Sequence, residues 1–255
     1  MSSVICYIIV GISVAVRAYA QKLHERGQPG VDLGDILLLT IFAGVWIVRR
    51  EDPANSLRIV EGMASWEMAV YTGLIVVVAG LANLWAHARL RQSHGEWMKG
   101  AGINPGGAYL ALSGMPKWTA LVLAVPFIAS GALLEEIVFR GFLLRTISKR
   151  SSLSNGLVVQ AVLFGLVHGI PMALVEAPNS ITSYALLMPI TVGLALGWLT
   201  VESGGLAYPW IAHWSLNYAA FAVEMSRLSR ERRLEAVDLN VDVDTANVDT
   251  DSFWG

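Results

Sequence analysis

Two adjacent acidic residues, Glu135 and Glu136, follow an apolar stretch of the chain, and Arg140 comes four residues after Glu136. Helical residues four positions apart lie on one face, and a glutamate that precedes its cation has the favourable orientation for pairing. The spacing therefore predicts an ion pair between Glu136 and Arg140 that fixes the position of the helix. Adjacent helical residues point about 100° apart, so Glu135 is predicted to have no partner on its own helix. A buried carboxyl group of this kind suits a general acid or base.

His168 lies in another apolar segment. It is nearly as many residues from the turn between the two segments as Glu135 is. A polar turn near Ser151 separates the two, with Glu135 16 residues before Ser151 and His168 17 residues after it. In an antiparallel pair of helices, both residues would stand roughly 24 Å from the turn. Gly165 and Gly169 form a ridge of small residues that permits close helix contact. A single helical histidine is more often structural than catalytic, but this placement predicts a contact between Glu135 and His168.

His213 and Asn217 form a third polar group within an apolar segment. Their spacing of four places them on one face of a helix, one turn apart. Such a pair can simply make hydrogen bonds between helices, and this explanation is as good as a catalytic one when the pair is considered alone. Pro209, four residues before His213, would kink the helix and release a backbone carbonyl. Water-lined sites in membrane proteins often contain breaks of this kind.

Together these groups are the components of water-dependent amide hydrolysis. We expect Glu135 and His168 to hold one water molecule, whose proton Glu135 accepts as the hydroxide attacks a carbonyl carbon and later delivers to the leaving amine. We expect His213 and Asn217 to donate hydrogen bonds to the developing oxyanion. The predicted chemistry is therefore the hydrolysis of a peptide bond.

The elements that must position these residues are strongly apolar. Hydrophobic residues make up 55% of the 255 residues and charged residues only 15%, whereas a soluble domain usually carries about 25% charged residues. The apolar residues form seven runs close to the roughly 20 residues that cross a bilayer. We therefore predict an all-α, polytopic transmembrane helical bundle with seven spans, or eight if a piece of 100–116 enters the membrane. The predicted spans are 4–20, 33–48, 66–86, 118–144, 153–169, 184–201 and 206–223.

The chain is predicted to contain one transmembrane domain, residues 1–223, whose motif-bearing core is 118–223. Residues 224–255 are predicted to form a charged juxtamembrane segment and then an acidic, disordered tail, because their apolar content is low. A net charge of -2 gives no electrostatic basis for binding nucleic acid. The expected partners are the lipid bilayer and a membrane-associated protein or peptide substrate. The expected location is the cell membrane, as an integral multi-pass protein.

The three motifs, in three separate hydrophobic segments, resemble those of the CAAX-processing and bacteriocin-processing (CPBP) family, which includes the type II CAAX prenyl endopeptidases and is also called the abortive-infection family. The resemblance covers about 118–223 and implies an intramembrane glutamic protease that uses no metal or other cofactor. It implies that Glu135 and His168 activate water, that His213 and Asn217 bind the oxyanion, and that the remaining motif residues support them. The motifs are Glu135-Glu136-xxx-Arg140, Phe164-xxx-His168 and His213-xxx-Asn217.

Three alternatives remain open at the level of sequence. Glutamate and histidine also bind zinc, but the chain has no His-Glu-xx-His helix and no cysteine ligand near these motifs. The chain could instead be a non-catalytic membrane scaffold or immunity factor of the same family, whose polar site serves recognition. Buried glutamate and histidine also form proton relays in transporters, although the paired inverted repeats typical of transporters are not visible in this sequence.

Overall fold

The computed structural model of the protein describes residues 65–101, 112 and 114–248. The predicted spans 4–20 and 33–48 lie outside the described residues. The described part is helical and contains no β-strand, in agreement with the all-α prediction. Its elements are α1 (Trp66–Ala101), α2 (Lys117–Glu136), a π-helix (Ile137–Leu144), α3 (Arg145–Arg150), α4 (Leu153–Leu174), α5 (Asn179–Ser203) and α6 (Ala207–Val248).

Local sequence accounts for the ends of the helices that surround the site. At the start of α4, the Ser152 side chain accepts a hydrogen bond from the Asn155 backbone N–H and so caps the first turn. At the end of α5, Gly204 adopts a left-handed conformation with a φ of 70°, which glycine tolerates without steric cost. Helix α1 is kinked at His94, whose φ of -138° is not helical. These boundaries set the lengths of the helices that pack around the motifs.

Four stretches of the described part are long and apolar enough to cross a membrane: Trp66–Gly95, Lys117–Arg150, Leu153–Leu174 and Asn179–Ser203. They correspond to four of the seven predicted spans. The predicted span 206–223 begins α6 but does not belong to this group, because its histidine, asparagine and tyrosines lower its hydropathy. Of the seven or eight spans expected from the sequence, the described part therefore supports four.

Helix α6 continues beyond the predicted span 206–223 and ends at Val248. The predicted division into a transmembrane domain, residues 1–223, and a charged juxtamembrane segment with an acidic, disordered tail, residues 224–255, stays a prediction.

Helices α4 and α5 pack closely because glycines face the contact. A Cβ atom added at Gly165 would lie 2.3 Å from Cγ1 of Ile190 and 2.6 Å from the backbone oxygen of Leu186. A Cβ atom at Gly169 would lie 2.8 Å from Cβ of Leu186. The small-residue ridge predicted from the sequence thus contacts α5. This contact fixes the position of α4, the helix that carries His168.

Helix α6 packs on both α1 and α2. The Tyr208 hydroxyl donates to the backbone oxygen of Ser65 at 2.6 Å, and the Trp210 indole N–H donates to the backbone oxygen of Ala129 at 2.8 Å. A buried apolar cluster then joins α2 to the middle of α6 through residues that include Ala124 and Phe221. These contacts bring the first turns of α6 beside the end of α2, where the adjacent glutamates lie.

Large apolar side chains cover much of the outer surface of the bundle. Trp66, Val78 and Trp85 of α1 and Trp118 and Val122 of α2 are each at least two-thirds exposed, at 74%, 66%, 66%, 75% and 69%. A soluble protein rarely shows an apolar surface of this extent. This surface is what a helical bundle presents to lipid.

Candidate active site

A fully buried carboxylate, Glu136, forms the centre of the polar cluster. Its Oε1 atom accepts a hydrogen bond from Arg140 Nη1 at 2.9 Å and lies 2.7 Å from His213 Nδ1. The ion pair indicated by the sequence spacing is therefore present, and both of its side chains have no exposed surface. His213 was not expected to join this pair. The third partner comes from α6, a helix distant in the sequence.

The two glutamates occupy the end of α2, and the backbone changes to a π-helix at the next residue, Ile137. A π-helix has a wider turn than an α-helix and is often found at functional sites. The segment carries Arg140, so the change in winding lies within the motif itself. Sequence spacing alone predicts an ordinary α-helix here and did not indicate this change.

His213 also faces the other carboxylate of the motif. Its Nε2 atom lies 3.5 Å from Oε2 of Glu135, and both residues are buried, with exposures of 4% and 8%. A carboxylate oxygen accepts hydrogen bonds and cannot donate them. His213 Nδ1 therefore carries a hydrogen in its bond to Glu136, and Nε2 is the ring atom directed at Glu135. One imidazole thus connects the two adjacent glutamates.

The aromatic ring of Phe164 lies among the charged and imidazole groups. The guanidinium carbon of Arg140 lies 4.3 Å from its centroid, within the range of cation–π attraction. The ring of His213 stands edge-on to Phe164 at 5.6 Å, and the ring of His168 is close at 4.7 Å. The sequence motif includes Phe164, but residue spacing alone suggested no contacts for it. Its position four residues before His168 was the available signal.

His168 is half-buried, and its Nδ1 atom lies 2.7 Å from the backbone oxygen of Phe164. Because a carbonyl oxygen only accepts, Nδ1 carries the hydrogen and the neutral ring has its lone pair on Nε2. His168 and His213 pack on the same phenyl ring, and His213 contacts Glu135. The structure therefore brings His168 into the cluster around Phe164, while the predicted water-holding contact with Glu135 stays a prediction.

Asn217 lies one turn after His213 on α6 and lines a cavity of about 330 Å³. The other lining residues come from α1, α5 and the following turns of α6. The structure thus places Asn217 between the polar cluster and an open space that could hold a ligand. Its predicted role in binding an oxyanion stays a prediction.

Sequence reasoning did not single out the charged residues at the far end of this cavity. Arg91 of α1 and Arg227 of α6 both donate to the carboxylate of Glu224. Burial would raise the pKa of Glu224, but the hydrogen bond from Arg227 and the charges of Arg91 and Arg227 outweigh it and hold the pKa below its ordinary value. Arg91 and Glu224 are 133 positions apart, so no local pattern relates them.

The zinc alternative requires a group of metal-ligating side chains. Among the residues that the structure describes, no three histidine, cysteine, aspartate or glutamate side chains are grouped in a way that could hold a metal ion. Within the motif cluster, Glu136 is bonded to Arg140 and His213.

Comparison with known proteins agrees with the sequence motifs. Residues 116–219 match the family model described as type II CAAX prenyl endopeptidase Rce1-like, and this range contains all six predicted site residues. No curated protein and no solved structure gives a significant match. The apolar helices and the family together identify an integral membrane protein. Residues 116–219 of the chain are therefore similar to the CAAX protease family, in its Rce1-like group of type II CAAX prenyl endopeptidases.

Proposed function

We propose that this protein is an intramembrane endopeptidase in which Glu135, assisted by His168, activates the water molecule that hydrolyses a peptide bond. The observation that carries the proposal is the enclosure of Glu135, which is only 8% exposed and whose carboxylate lies 3.5 Å from His213 within a cluster of charged groups. Such a cluster is costly inside a membrane helix bundle and marks a functional site. The proposed site residues lie within 116–219, the range that matches the Rce1-like family model, and this supports the proposal.

In the proposed reaction, Glu135 accepts a proton from water as the water oxygen bonds to the carbonyl carbon. The tetrahedral intermediate then collapses, the carbon–nitrogen bond breaks, and the proton held by Glu135 passes to the leaving amine. The net reaction consumes one water molecule and yields a carboxylic acid and an amine. Glu135 ends the cycle in its initial state.

His168 completes the water site in this proposal. Its Nδ1 hydrogen is engaged by the backbone oxygen of Phe164 at 2.7 Å. The lone pair of the neutral ring is therefore on Nε2, which can accept a hydrogen bond from the same water. A water held between a carboxylate and an imidazole is oriented with an oxygen lone pair available for attack. The phenyl ring fixes the direction of the imidazole.

His213 and Asn217 are proposed to stabilise the oxyanion of the intermediate. Because Nδ1 of His213 is bonded to Glu136, Nε2 is the atom from which His213 can donate once its ring is protonated. The Asn217 amide can donate from the cavity side. Loss of one oxyanion donor typically costs about 2.7–4 kcal/mol of transition-state stabilisation. Arg140 and Glu136 act as positioning residues, since they hold the His213 ring.

We propose a membrane-associated protein or peptide as the substrate, with or without a lipid modification, and the cell membrane as the location. The buried site is reached most directly by a substrate that already lies in the bilayer. We further propose that the reaction uses no metal or other cofactor, because a carboxylate base and the hydrogen-bond donors of His213 and Asn217 suffice for the steps above.

The test compares membrane-protein termini in cells that carry the wild type, Glu135→Gln or Glu202→Gln. Glu202 is an exposed residue at the end of α5 and provides the matched control. We expect new termini with the wild type and with the control, and at least a roughly hundredfold slower cleavage with Glu135→Gln. The purified variant should keep the wild-type melting temperature, and a strong chelator should not slow the wild type. Full cleavage by Glu135→Gln, or rescue of a deletion phenotype by it, would contradict the proposal.

A further inference from the structure

Three segments of the described part meet at one end of the helical bundle. Helices α1 and α6 run in the same direction, because Ser65 and Tyr208 are bonded near their starts and Arg91 and Glu224 are bonded further along both. The start of α2 packs against the same part of α6 through a buried apolar cluster. The turn between α4 and α5 packs on the last turns of α1. These segments therefore share one end of the molecule.

This end carries an excess of positive charge, and we call it the basic end. Six of its described side chains are cationic and three are acidic: Arg89, Arg91, Lys117, Arg227, Arg230 and Arg233 against Glu176, Glu224 and Glu231. The opposite end has three described cations and two described acids: Arg145, Lys149 and Arg150 against Glu67 and Glu202. The excess at the basic end is therefore three charges, against one at the other end.

Four cations of the basic end are not neutralised by an acid of the described part. Glu224 accepts hydrogen bonds from Arg91 and Arg227. Glu231 accepts one from Arg227. No described carboxylate forms an ion pair with the other four cations, which are Arg89, Lys117, Arg230 and Arg233. The three arginines of this group are exposed and the lysine is half-buried, so all four can meet an anion that comes from outside the protein.

Two of these cations lie over exposed tryptophans. The guanidinium carbon of Arg89 is 5.9 Å from the ring centroid of Trp85, and Nζ of Lys117 is 5.4 Å from that of Trp118. Both distances are within the range of cation–π attraction. The two indole rings are 66% and 75% exposed. Exposed tryptophans on a membrane helix are typical of the boundary between hydrocarbon and headgroups, so Arg89 and Lys117 are placed at the depth of the headgroups.

The two arginines of α6 extend this group of cations outward from the bilayer. Arg230 and Arg233 lie six and nine residues after Glu224, which corresponds to a rise of roughly 9 and 13 Å along the helix. The headgroup region of one leaflet is about 5–8 Å thick, and an exposed charge acts over a Debye length of about 8–10 Å. Both arginines are therefore within electrostatic reach of the headgroups.

We propose that the basic end binds anionic phospholipids of the surrounding bilayer, with their phosphates against Arg89, Lys117, Arg230 and Arg233. Phosphate supplies the negative charge that these side chains lack, and a guanidinium group donates to two phosphate oxygens at once. The acyl chains lie against the exposed apolar surface of α1 and α2 beside the tryptophans. An acidic soluble protein would match the charges but would leave both indole rings in water.

Bound anionic lipid fixes the depth of α1, α2 and α6 in the bilayer. None of the four cations belongs to the candidate active site, so this inference goes beyond the proposed function and does not depend on it. Loss of lipid binding and loss of cleavage can therefore be measured separately.

The experiment uses the full-length protein in phosphatidylcholine vesicles that contain a small fraction of a pyrene-labelled lipid. Energy transfer from the tryptophans to pyrene-labelled phosphatidylglycerol, compared with pyrene-labelled phosphatidylcholine, gives the relative association of the two lipids. We expect the anionic lipid to be favoured about fivefold, the effect of one arginine or lysine near an anionic surface. The variant in which Arg89, Lys117, Arg230 and Arg233 are all replaced by glutamine should show no preference.

Arg230→Gln with Arg233→Gln is a milder variant, which should reduce the preference to about twofold. Lys149→Gln with Arg150→Gln is its matched control, because it removes two exposed positive charges from the opposite end, and it should keep the wild-type preference. Equal association of both lipids with the wild type would overturn the proposal. Retention of the preference by the fourfold variant, or an equal loss in the two double variants, would remove the basic end from the binding surface.

A final comparison distinguishes a lipid from a free anion. Inorganic phosphate and chloride, added at equal ionic strength, should weaken the preference equally, because both only screen the charges. A stronger effect of inorganic phosphate would show a site for the free anion and would contradict the assignment to lipid.

Discussion

At the scale of single residues, the cluster depends on how one carboxylate is shared. Glu136 Oε1 is bonded to Arg140 at 2.9 Å and lies 2.7 Å from His213. Arg140 also contacts the face of Phe164, so both the carboxylate of Glu136 and the phenyl ring stabilise its positive charge. Glu136 therefore holds Arg140 and His213 in place. In the proposed mechanism, the adjacent Glu135 is then available to act on water.

The first prediction concerns this shared carboxylate. Glu136→Gln removes the negative charge beside Arg140, and breaking a buried ion pair by removing one partner typically costs about 3–5 kcal/mol. We expect a lower melting temperature in detergent and a loss of cleavage, because His213 loses its negatively charged partner at Nδ1. Glu202→Gln, at an exposed position, should change neither.

The double variant Glu136→Gln, Arg140→Gln separates the charge effect from a general packing effect. It no longer contains a buried cation without an anion, so it should be less destabilised than the sum of the two single substitutions. Strict additivity of the two effects would mean that the ion pair does not contribute to the fold as described.

At the scale of elements, the positions of the two histidines depend on different helix contacts. His168 is carried by α4, whose glycines contact α5, while His213 is carried by α6, which packs on α1 and α2. The π-helix after Glu136 brings Arg140 to the same cluster. Phe164 is the point at which these elements meet, since groups from the π-helix, α4 and α6 all contact its ring.

The second prediction tests the α4–α5 contact. In Gly165→Ala, the new Cβ atom would meet Cγ1 of Ile190 at 2.3 Å and the backbone oxygen of Leu186 at 2.6 Å. The helices must separate, and overpacking of this kind typically costs about 1–3 kcal/mol. We expect a lower melting temperature and slower cleavage, because α4 moves with His168. Gly73→Ala is the control, since no heavy atom lies within 4 Å of its added Cβ. If both variants behaved alike, the close approach of α4 to α5 would be refuted.

At the scale of the whole molecule, an ion-pair network joins α1, the first long helix of the described part, to α6, the last. Glu224 of α6 accepts from Arg91 of α1 and from Arg227 of its own helix. These bonds link two long helices that run in the same direction along the cavity. The network therefore holds the cavity wall together as well as supplying its cationic end.

The third prediction follows from the lowered pKa of Glu224. A carboxyl group whose pKa is lower in the folded state contributes stability above its unfolded pKa, about 4.3 for glutamate, and this contribution is lost as the pH falls through the folded value. At pH 7, Glu224→Gln should therefore melt at a lower temperature than the wild type. The difference should shrink as the pH falls below about 4.

Melting curves of the two proteins between pH 7 and pH 3 provide the measurement. Glu67→Gln, in the exposed first turn of α1, serves as a control and should match the wild type throughout. A difference between Glu224→Gln and the wild type that stays constant over this range would exclude the ion pairs as its cause.

The sequence by itself determined the features that depend on neighbouring residues. Hydropathy predicted helices and no strands, and spacing by four predicted the pair of Glu136 and Arg140. The three motifs also identified the family that residues 116–219 confirm. These features could be predicted because a helix repeats every 3.6 residues, so that chain spacing translates directly into a shared face.

Only the tertiary structure decided which distant groups meet. His213 lies 77 positions from Glu136 and Arg91 lies 133 positions from Glu224, and no local period relates residues so far apart. The π-helix from Ile137 to Leu144 was likewise not indicated by the spacing of the residues. Side-chain identity supplied the chemical groups of the site, and the packing of α1, α4 and α6 determined which of them share one carboxylate, one phenyl ring and one cavity.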